Sequence, residues 1–540
     1  MAFNSIFNHV VEYLNQNDLC NLALCSKDLS EIVSIHLYHT IHICKDPILR
    51  SEAGFLDSNC SYISGYRSVL KSPDQNDMFL FDRIQRLLES SHLKNIKRMI
   101  VNNETFSDIN EGMEVLLLLL RKVIELDRIE DLDIRNAQIF KVLYEDYIKL
   151  SCLKRINIFN WKDLKSCPSR NKIKILKVTF PLKFDFNEII EADIKNILED
   201  QISFLEINDL AYSSNRVFTQ LKQNNIKMNR IIGLSYSHVH HLNIGCVSKT
   251  NLLECVNLAG IQRLELTVNC EEPDCTCLED YLSMLAPELT SLRRLSLSQK
   301  HFTTPPNHQE QEDWDVQIGR FILRIPDAER SLTTLIIRHD PPFEGFSEDS
   351  VDGNYIRRRN LYSALLPKLK GLKELIAPVM LQTLSAYEVL VADLLWNGCE
   401  CEFCKNWLPI FDQYIMNHQY YSKEEGDYKD IIPTPFSAFS GFSLSQRTLT
   451  QINSLFDITD TAPMSVTWDF HTYENIRHFS DYDCHFDERL FGILATVISH
   501  FFNGYMDYLA VQLPRLQFAH FSGIYYTIDS ETRKYYCVYD

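Results

Sequence analysis

Hydrophobic residues in the middle of the chain recur in one short cassette, written apolar-x-x-apolar-x-x-apolar-x-apolar. Its clearest copy is Leu289, Leu292, Leu295 and Leu297, and ten full or shortened copies lie between residues 93 and 377. The last two apolar positions alternate as in a short strand, and the earlier ones turn the chain into that strand. Segments with helical periodicity separate the cassettes. The pattern therefore predicts a repeated unit of one strand and one helix.

The cassettes return at irregular distances. Their third apolar residues stand 20 to 40 residues apart, which covers and exceeds the spacing of leucine-rich repeats. A strand and a return helix that repeat in this way stack into a curved parallel sheet with one continuous core. We expect residues 93–377 to form an irregular leucine-rich repeat solenoid of the α/β class. The alternative is a generic α/β protein whose buried strands are rich in leucine. The ten third-position residues are Met99, Leu132, Ile156, Leu176, Leu205, Leu242, Leu264, Leu295, Leu335 and Leu375.

The cassette is absent from the hundred residues that follow position 377. It returns in degenerate form at Leu513, Leu516, Ala519 and Phe521. The last repeat of such an array needs an atypical cap, because its outer core face would otherwise stay exposed. We therefore expect residues 378–540 to form a C-terminal cap with inserted helices and a last degenerate repeat.

The first 45 residues carry a helical period instead. Ile6, Val10 and Leu14 recur at a spacing of four and make one apolar stripe. Asp18 can begin a second amphipathic helix, and Ser26 can cap a third. Three short helices cannot bury all of their apolar faces against one another, so this segment is expected to need a partner surface.

The sequence of residues 3–43 resembles the F-box. It reads FNSIFNHVVEYLNQNDLCNLALCSKDLSEIVSIHLYHTIHI. One departure is that Phe3-Asn4 stands where the family has Leu-Pro, which makes the opening turn more flexible. The resemblance implies a three-helix F-box over residues 1–45 that docks on the small adaptor of SCF-type ubiquitin ligases. Residues 46–92 are expected to be a helical linker to the solenoid. The residues that the resemblance assigns to adaptor binding are Ile6, Val10, Leu14, Asp18, Leu19, Leu22, Leu24, Leu29 and Ile32.

The same resemblance implies a function. The chain is expected to be the substrate-recognition subunit of an SCF-type ubiquitin ligase, which reaches a cullin through the adaptor and binds target proteins through the solenoid. Such a subunit does no bond chemistry itself and acts by proximity. The first alternative is a non-SCF F-box protein that binds the adaptor and regulates or sequesters one partner. The second alternative is a leucine-rich repeat scaffold that does not bind the adaptor.

Acidic and aromatic residues follow three successive late cassettes. Because parallel strands end at the same edge of a sheet, these loops are expected to lie side by side as an acidic rim, and long loops on a rigid scaffold often carry binding sites. We expect the rim to bind the substrate, through a basic segment of it; solvated insertions without a partner are the alternative. The rim residues are Glu271, Glu272, Asp274, Glu312, Asp313, Trp314, Asp315, Phe343, Glu344 and Asp349.

A cysteine-rich segment in the C-terminal region has the spacing of a zinc site. Thiolates and imidazoles bind zinc at about 2.0–2.3 Å in a tetrahedron. A structural zinc ion and a loop of unpaired cysteines are the two interpretations, and no cofactor is otherwise required. Cys484 or His485 can replace the histidine ligand, and a weaker second group is Cys270-x4-Cys275-x-Cys277. The candidate ligands are Cys399, Cys401, Cys404 and His418.

Composition and charge narrow the function further. The formal net charge is −18 and the isoelectric point is about 5.4, without a basic run, so a nucleic-acid partner is not expected. No apolar stretch is long enough for a membrane span and the start lacks a signal peptide, so we expect a cytoplasmic or nuclear protein with reduced thiols. No Gly-rich phosphate loop, G-x-S-x-G or H-E-x-x-H motif indicates an enzyme.

The segment that begins CECEFCKNW and the ending LPRLQFAHFSGIYYTI resemble parts of a group of fungal F-box proteins.

Overall fold

The structure is a computed structural model, and it describes the residues that carry most of the cassettes. The described residues are 10–11, 14, 16–44, 60–64, 73–102, 111–181, 184–185, 189–207, 213–240, 251–272, 275–301, 308–338, 361–376, 401–403, 406, 503–521 and 524–537. Helices and strands alternate along these residues, which confirms the mixed α/β class.

The helices of the described residues are α1 Gln16–Cys25, α2 Lys27–Leu37, α3 Pro73–Glu89, α4 Glu111–Glu125, α5 Ala137–Tyr147, α6 Trp161–Ser166, α7 Ala192–Asp200, α8 Ser213–Gln223, α9 Leu252–Cys255, α10 Cys277–Leu285, α11 His308–Arg324, α12 Ala328–Ser331 and α13 Asn503–Gln512. Short 3-10 helices lie at Ser91–Asn95, Leu258–Gly260, Ala286–Glu288 and Leu366–Lys368. The strands are β1 Thr40–Cys44, β2 Ser61–Ser64, β3 Arg98–Val101, β4 Asp131–Ile134, β5 Arg155–Ile158, β6 Ile175–Val178, β7 Phe204–Ile207, β8 Gly233–His240, β9 Arg263–Cys270, β10 Arg294–Ser298, β11 Thr334–Arg338, β12 Glu374–Ile376, β13 Phe518–Phe521, β14 Ile524–Ile528 and β15 Tyr535–Cys537.

The chain divides into two compact units. The first comprises residues 1–234 with 251–257, and the second comprises residues 235–250 with 258–540. In the first unit, four parallel strands lie in the order β2-β1-β3-β4, and β5, β6 and β7 form a further parallel set. In the second unit, β9 to β13 are parallel neighbours in chain order, and β14 and β15 close that sheet as antiparallel strands.

The cassettes explain where the strands lie. Their third apolar residues are aligned across neighbouring strands, so that Leu264, Leu295, Leu335 and Leu375 form one row in the second unit. The row ends on Ala519, as the degenerate cassette predicts. All of these side chains are buried, and each strand therefore contributes the same apolar face to the core.

A repeated pair of backbone hydrogen bonds starts most strands. In the second unit, the amides of residues 333 and 334 both donate to the carbonyl of Arg293, at 2.8 and 3.1 Å, and those of residues 373 and 374 donate to Thr333 at 2.8 and 3.0 Å. In the first unit, the amides of residues 203 and 204 donate to Lys174 in the same way, at 2.9 and 3.1 Å. Each strand is thus positioned by the residue that precedes the previous strand, whatever the length of the segment between them.

The N-terminal segment forms a small helical cluster. Val11, Leu19 and Val33 make its core. Helix α2 begins with Ser26 as its N-cap, whose hydroxyl accepts a hydrogen bond from the amide of Leu29 at 3.2 Å, as the sequence predicts. The described residues do not include enough of the first apolar stripe to show a complete third helix.

The boundaries that the sequence suggested for the first 92 residues do not follow the sheet. Strand β1 lies within the expected F-box yet pairs with β2 and β3. Strand β2 lies within the expected helical linker, alongside helix α3. The side-chain amide of Gln16 accepts from the amide of Tyr62 at 2.9 Å and donates to its carbonyl at 3.2 Å, so helix α1 is attached to the edge of this sheet. Removal of residues 1–43 would therefore remove most of an interior strand as well as the helices.

One predicted strand lies earlier in the chain than expected. The sequence placed a cassette at residues 239–244, whereas the strand is β8, Gly233–His240. The buried residues that supply its cassette are Met228, Ile231, Leu234 and Tyr236. The expected position was wrong because a tyrosine occupies the final apolar position, where the other copies have an aliphatic residue. Leu242 lies outside the described residues, as do most of residues 378–502.

Candidate adaptor-binding and partner-binding surfaces

The residues expected to bind the adaptor separate into core and surface. Leu19 is only 4% exposed and packs with Val11 and Val33, whereas Leu24 is 85% exposed. Val10 is also exposed. Ile6 and the side chain of Asp18 lie outside the described part of the chain. The half-buried residues of the set are Leu14, Leu22, Leu29 and Ile32. Leu24 and Val10 are therefore available to a partner, while Leu19 stabilises the helical cluster itself.

Sequence periodicity did not identify Ile35 as a candidate. This residue lies on helix α2 and its side chain is exposed. It stands on the side of the helix opposite to the buried Val33, because neighbours two residues apart point in nearly opposite directions. An exposed isoleucine beside an apolar stripe is the signal that could have found it.

Charged side chains of the first unit form an ion-pair network across strands β4 to β7. Arg155 contacts Glu206 at 2.5 Å, and its guanidinium lies 3.9 and 4.0 Å from Asp131 and Asp133. Lys177 contacts Glu206 at 3.0 Å and Asp133 at 3.5 Å. All five side chains lie at the polar positions of their strands, which alternate with the buried apolar positions.

Burial and charge act in opposite directions on the carboxyl groups of this network. Burial acts to raise the pKa of Asp133, but the cations Lys177, Arg155 and Arg135 outweigh it and lower that pKa to about 2. For Asp131, burial has the larger effect and raises the pKa despite Arg155 and Arg98. Each cation of the network thus pairs with more than one carboxylate. A protein that binds to this face would therefore contact charges that are already paired.

The expected acidic rim does not form as the sequence suggested. Residues 308–324 are helix α11 rather than a loop. Trp314 is buried and its indole nitrogen donates to the carbonyl of Val268 at 2.8 Å. Asp315 is also buried and accepts a hydrogen bond from the hydroxyl of Tyr362 at 2.7 Å. These two residues support the core of the second unit, so their assignment to a rim was wrong.

Of the other rim residues, the structure describes the side chains of three. Glu271 and Glu272 are half-buried and Asp313 is exposed. The rest of the set lies outside the described part of the chain, in whole or in the side chain: Asp274, Glu312, Phe343, Glu344 and Asp349. The expected basic-segment binding site therefore has no described geometry to support it.

The two cysteine groups are described to different degrees. Of the C-terminal candidates only Cys401 is described, and it is half-buried, whereas Cys399, Cys404 and His418 lie outside the described residues. The second group is described at all three cysteines. It lies where strand β9 ends and helix α10 begins, and His240 at the end of β8 joins it.

Comparison with known proteins gives the family. No family model matches the chain. Over 543 residues the chain is 42% identical to the Saccharomyces cerevisiae protein named "Non-SCF-type F-box protein ROY1", and the match covers 99% of this chain and 98% of that protein. The chain belongs to the F-box proteins. The resemblance noted in residues 3–43 is thereby confirmed at the level of the family.

The name of the relative corrects the expected function of this F-box protein. Assignment as an SCF substrate receptor was wrong, because the relative that matches nearly the whole chain is of the non-SCF type. The physical reason is that the F-box pattern records only the residues of helices that can face an adaptor. Nothing in that pattern requires that the adaptor also hold a cullin.

Membership of this family also bears on catalysis. F-box proteins are generally non-catalytic, which agrees with the expectation that this F-box protein does no bond chemistry, although its place in a ubiquitin ligase is not supported.

Among the helices of the described residues, none combines the length and the apolar character that crossing a bilayer requires.

Proposed function

We propose that the chain is a non-SCF-type F-box protein that binds the small adaptor of SCF ligases through its N-terminal helices, without recruiting a cullin, and regulates or sequesters one partner protein. The observation that carries this proposal is the 42% identity to a relative of that type, along nearly the full length of both chains. Adaptor binding by F-box proteins gives the exposed Leu24 and Val10 a role, because they would lose contact with water on docking.

The rest of the chain is proposed to be an irregular leucine-rich repeat array that presents the partner-binding face. Three features support it: the recurring cassette, the alignment of its third residues across parallel strands, and the repeated hydrogen-bond pair at strand starts. Such arrays stack units of variable length and offer one extended surface. The ion-paired residues of β4 to β7 belong to the polar face of this array and are the proposed contact region for the partner.

Co-purification of the full chain with the adaptor and the cullin tests the adaptor half of the proposal. Wild type is expected to bring down the adaptor and no cullin. Leu24→Asp is expected to weaken adaptor binding by about 2 kcal/mol or more, roughly thirtyfold, because a carboxylate would have to lose its water in an apolar contact. Quantitative immunoblotting or titration of purified adaptor measures both results.

Ile189→Asp is the matched control for that variant. Ile189 is 83% exposed, close to the 85% of Leu24, and it lies outside the F-box helices. The Ile189→Asp variant should bind the adaptor as tightly as wild type does. Capture of the cullin by wild type would contradict the non-SCF assignment, and failure to capture the adaptor would favour a repeat scaffold without adaptor binding.

A further inference from the structure

His240, Cys270 and Cys277 converge at one end of the sheet of the second unit. A nitrogen of the His240 ring and the sulfurs of both cysteines all lie within 4.8 Å of one another. His240 Nδ1 and Cys277 Sγ lie 3.2 Å apart. Around a tetrahedral zinc ion, a nitrogen and a sulfur ligand stand about 3.5 Å apart and two sulfurs about 3.8 Å apart, given the usual bond lengths. The three side chains are thus already near the separations that one ion would impose.

The fold explains why residues so distant in sequence meet here. His240 is the last residue of β8 and Cys270 is the last residue of β9, and the amide of Glu271 donates to the carbonyl of His240 at 3.1 Å. The chain then turns back, and Cys277 begins helix α10. Two strand ends and one helix start therefore supply one ligand each from three separate backbone positions.

Cys275 lies beside this group, although its sulfur is not within 4.8 Å of all three ligand atoms. Its sulfur accepts a hydrogen bond from the amide of Cys277 at 3.4 Å. The spacing Cys270-x4-Cys275 also falls within the range common for zinc ligands.

We propose that His240, Cys270, Cys275 and Cys277 form a structural zinc site, with zinc bound by three thiolates and one imidazole. Binding converts the three thiols to thiolates, and their protons leave to solvent. Soft sulfur ligands with an imidazole suit zinc in a tetrahedral site. Four protein ligands leave no open position for a substrate, so the ion holds the ends of β8 and β9 to the start of α10.

The surroundings favour a structural ion over a reactive cysteine. Cys277 is only 6% exposed, so a substrate has little access to its sulfur. The ring of His238 stacks on Tyr281 at a centroid distance of 3.6 Å and lies 4.7 Å from the ring of His240. These rings pack beside the ligand histidine and restrict the rotation of its imidazole.

The first test measures bound metal in the full chain, purified without a chelator or a polyhistidine tag. Elemental analysis by inductively coupled plasma mass spectrometry should find one equivalent of zinc less in Cys270→Ser/Cys277→Ser than in wild type. Cys152→Ser/Cys167→Ser is the matched control, because it also replaces one half-buried and one buried thiol and should keep the wild-type content. The difference between variants is decisive whether or not the Cys399 segment binds zinc. Equal zinc in the cluster variant and wild type, or a different metal in this site, would overturn the proposal.

A second test needs only the wild-type chain and so does not depend on how a variant folds. Alkylation by N-ethylmaleimide, mapped by peptide mass spectrometry, should leave Cys270, Cys275 and Cys277 unmodified until a zinc chelator is added. Half-buried Cys152 should react at the same rate with and without the chelator. If the three cysteines react equally in both conditions, or are found joined in a disulfide, the site does not bind zinc.

Discussion

Replacement of Arg155 by methionine is expected to lower the free energy of unfolding of the first unit by about 3–5 kcal/mol, because it breaks a buried ion network by removing its central cation. Asp131, Asp133 and Glu206 surround the guanidinium at 2.5 to 4.0 Å, and the Arg155 side chain is only 17% exposed. Methionine fills a similar volume and contributes no charge. Hydrogen exchange of peptides from strands β4 to β7 should show protection reduced by roughly a hundredfold to several thousandfold.

Arg263→Met is the control for this change. Arg263 pairs with one acidic residue, Glu265 of its own strand, and its side chain is 46% exposed. Exposed ion pairs contribute about 1 kcal/mol or less, so exchange around β9 should change by less than roughly tenfold. If both variants lose the same small amount, water screens the Arg155 network and the proposed partner face carries solvated charges.

The loss in the free energy of unfolding that Arg155→Met causes should depend on pH. In wild type the pKa of Asp133 is lowered to about 2, from an ordinary value of 3.8. A carboxyl group with a lowered folded-state pKa stabilises the fold above its unfolded pKa, and this contribution is lost as the pH falls through the folded value. Loss of Arg155 removes one of the cations responsible. The difference in stability between the variant and wild type should therefore shrink as the pH falls from 3.8 to about 2, where wild type loses the contribution of Asp133.

The strands could be predicted from the sequence because their core positions repeat. Leu295 and Leu335 occupy the same place in adjacent strands because each follows a leucine at a spacing of three and precedes an apolar residue at a spacing of two, which the sequence shows directly. The edge strand β2 has no such cassette and was missed. Its position depends on pairing with β1 and on the amide of Gln16, 46 residues away, and a local pattern cannot record that contact.

Helix α11 was missed for a different reason. Residues 310–315 are rich in acidic side chains, which favoured a solvated loop. The apolar residues that define the helix, Trp314, Ile318, Phe321 and Ile322, are spaced by three and four residues and are all buried. A search for helical period across the whole segment would have found the helix, because charged residues on one face do not interrupt the apolar stripe on the other.

The zinc ligands could be predicted only in part. The three cysteines are close in sequence and were recognised as a weak group. His240 lies 30 residues before Cys270, and only the pairing of adjacent strand ends brings it to the cysteines. The sequence also placed that strand several residues too late, which hid the histidine at its end.

Gly371→Ala is expected to destabilise the second unit by about 2–4 kcal/mol, as the sum of overpacking and one weakened buried hydrogen bond. A methyl group on Gly371 would lie closer than 3.0 Å to the carbonyl of Arg330 and 3.1 Å from that of Leu332. These are backbone atoms, so no side-chain rotation relieves the contact. The amide of Gly371 also donates to the carbonyl of Glu329 at 2.7 Å, and a shift of either segment weakens that bond at the start of β12.

Gly319→Ala makes the same change with the opposite expected sign. A methyl group there would meet only the Leu361 side chain, at 3.8 Å, within helix α11, where alanine is more favourable than glycine by about 1 kcal/mol. Melting curves should place Gly319→Ala at or above wild type and Gly371→Ala below it by several degrees, at roughly 2–4 °C per kcal/mol for a large domain. Equal melting temperatures of the two variants would mean that the turn before β12 can move away from residues 329–332. The close packing at the strand starts would then not fix the spacing between neighbouring strands of this array.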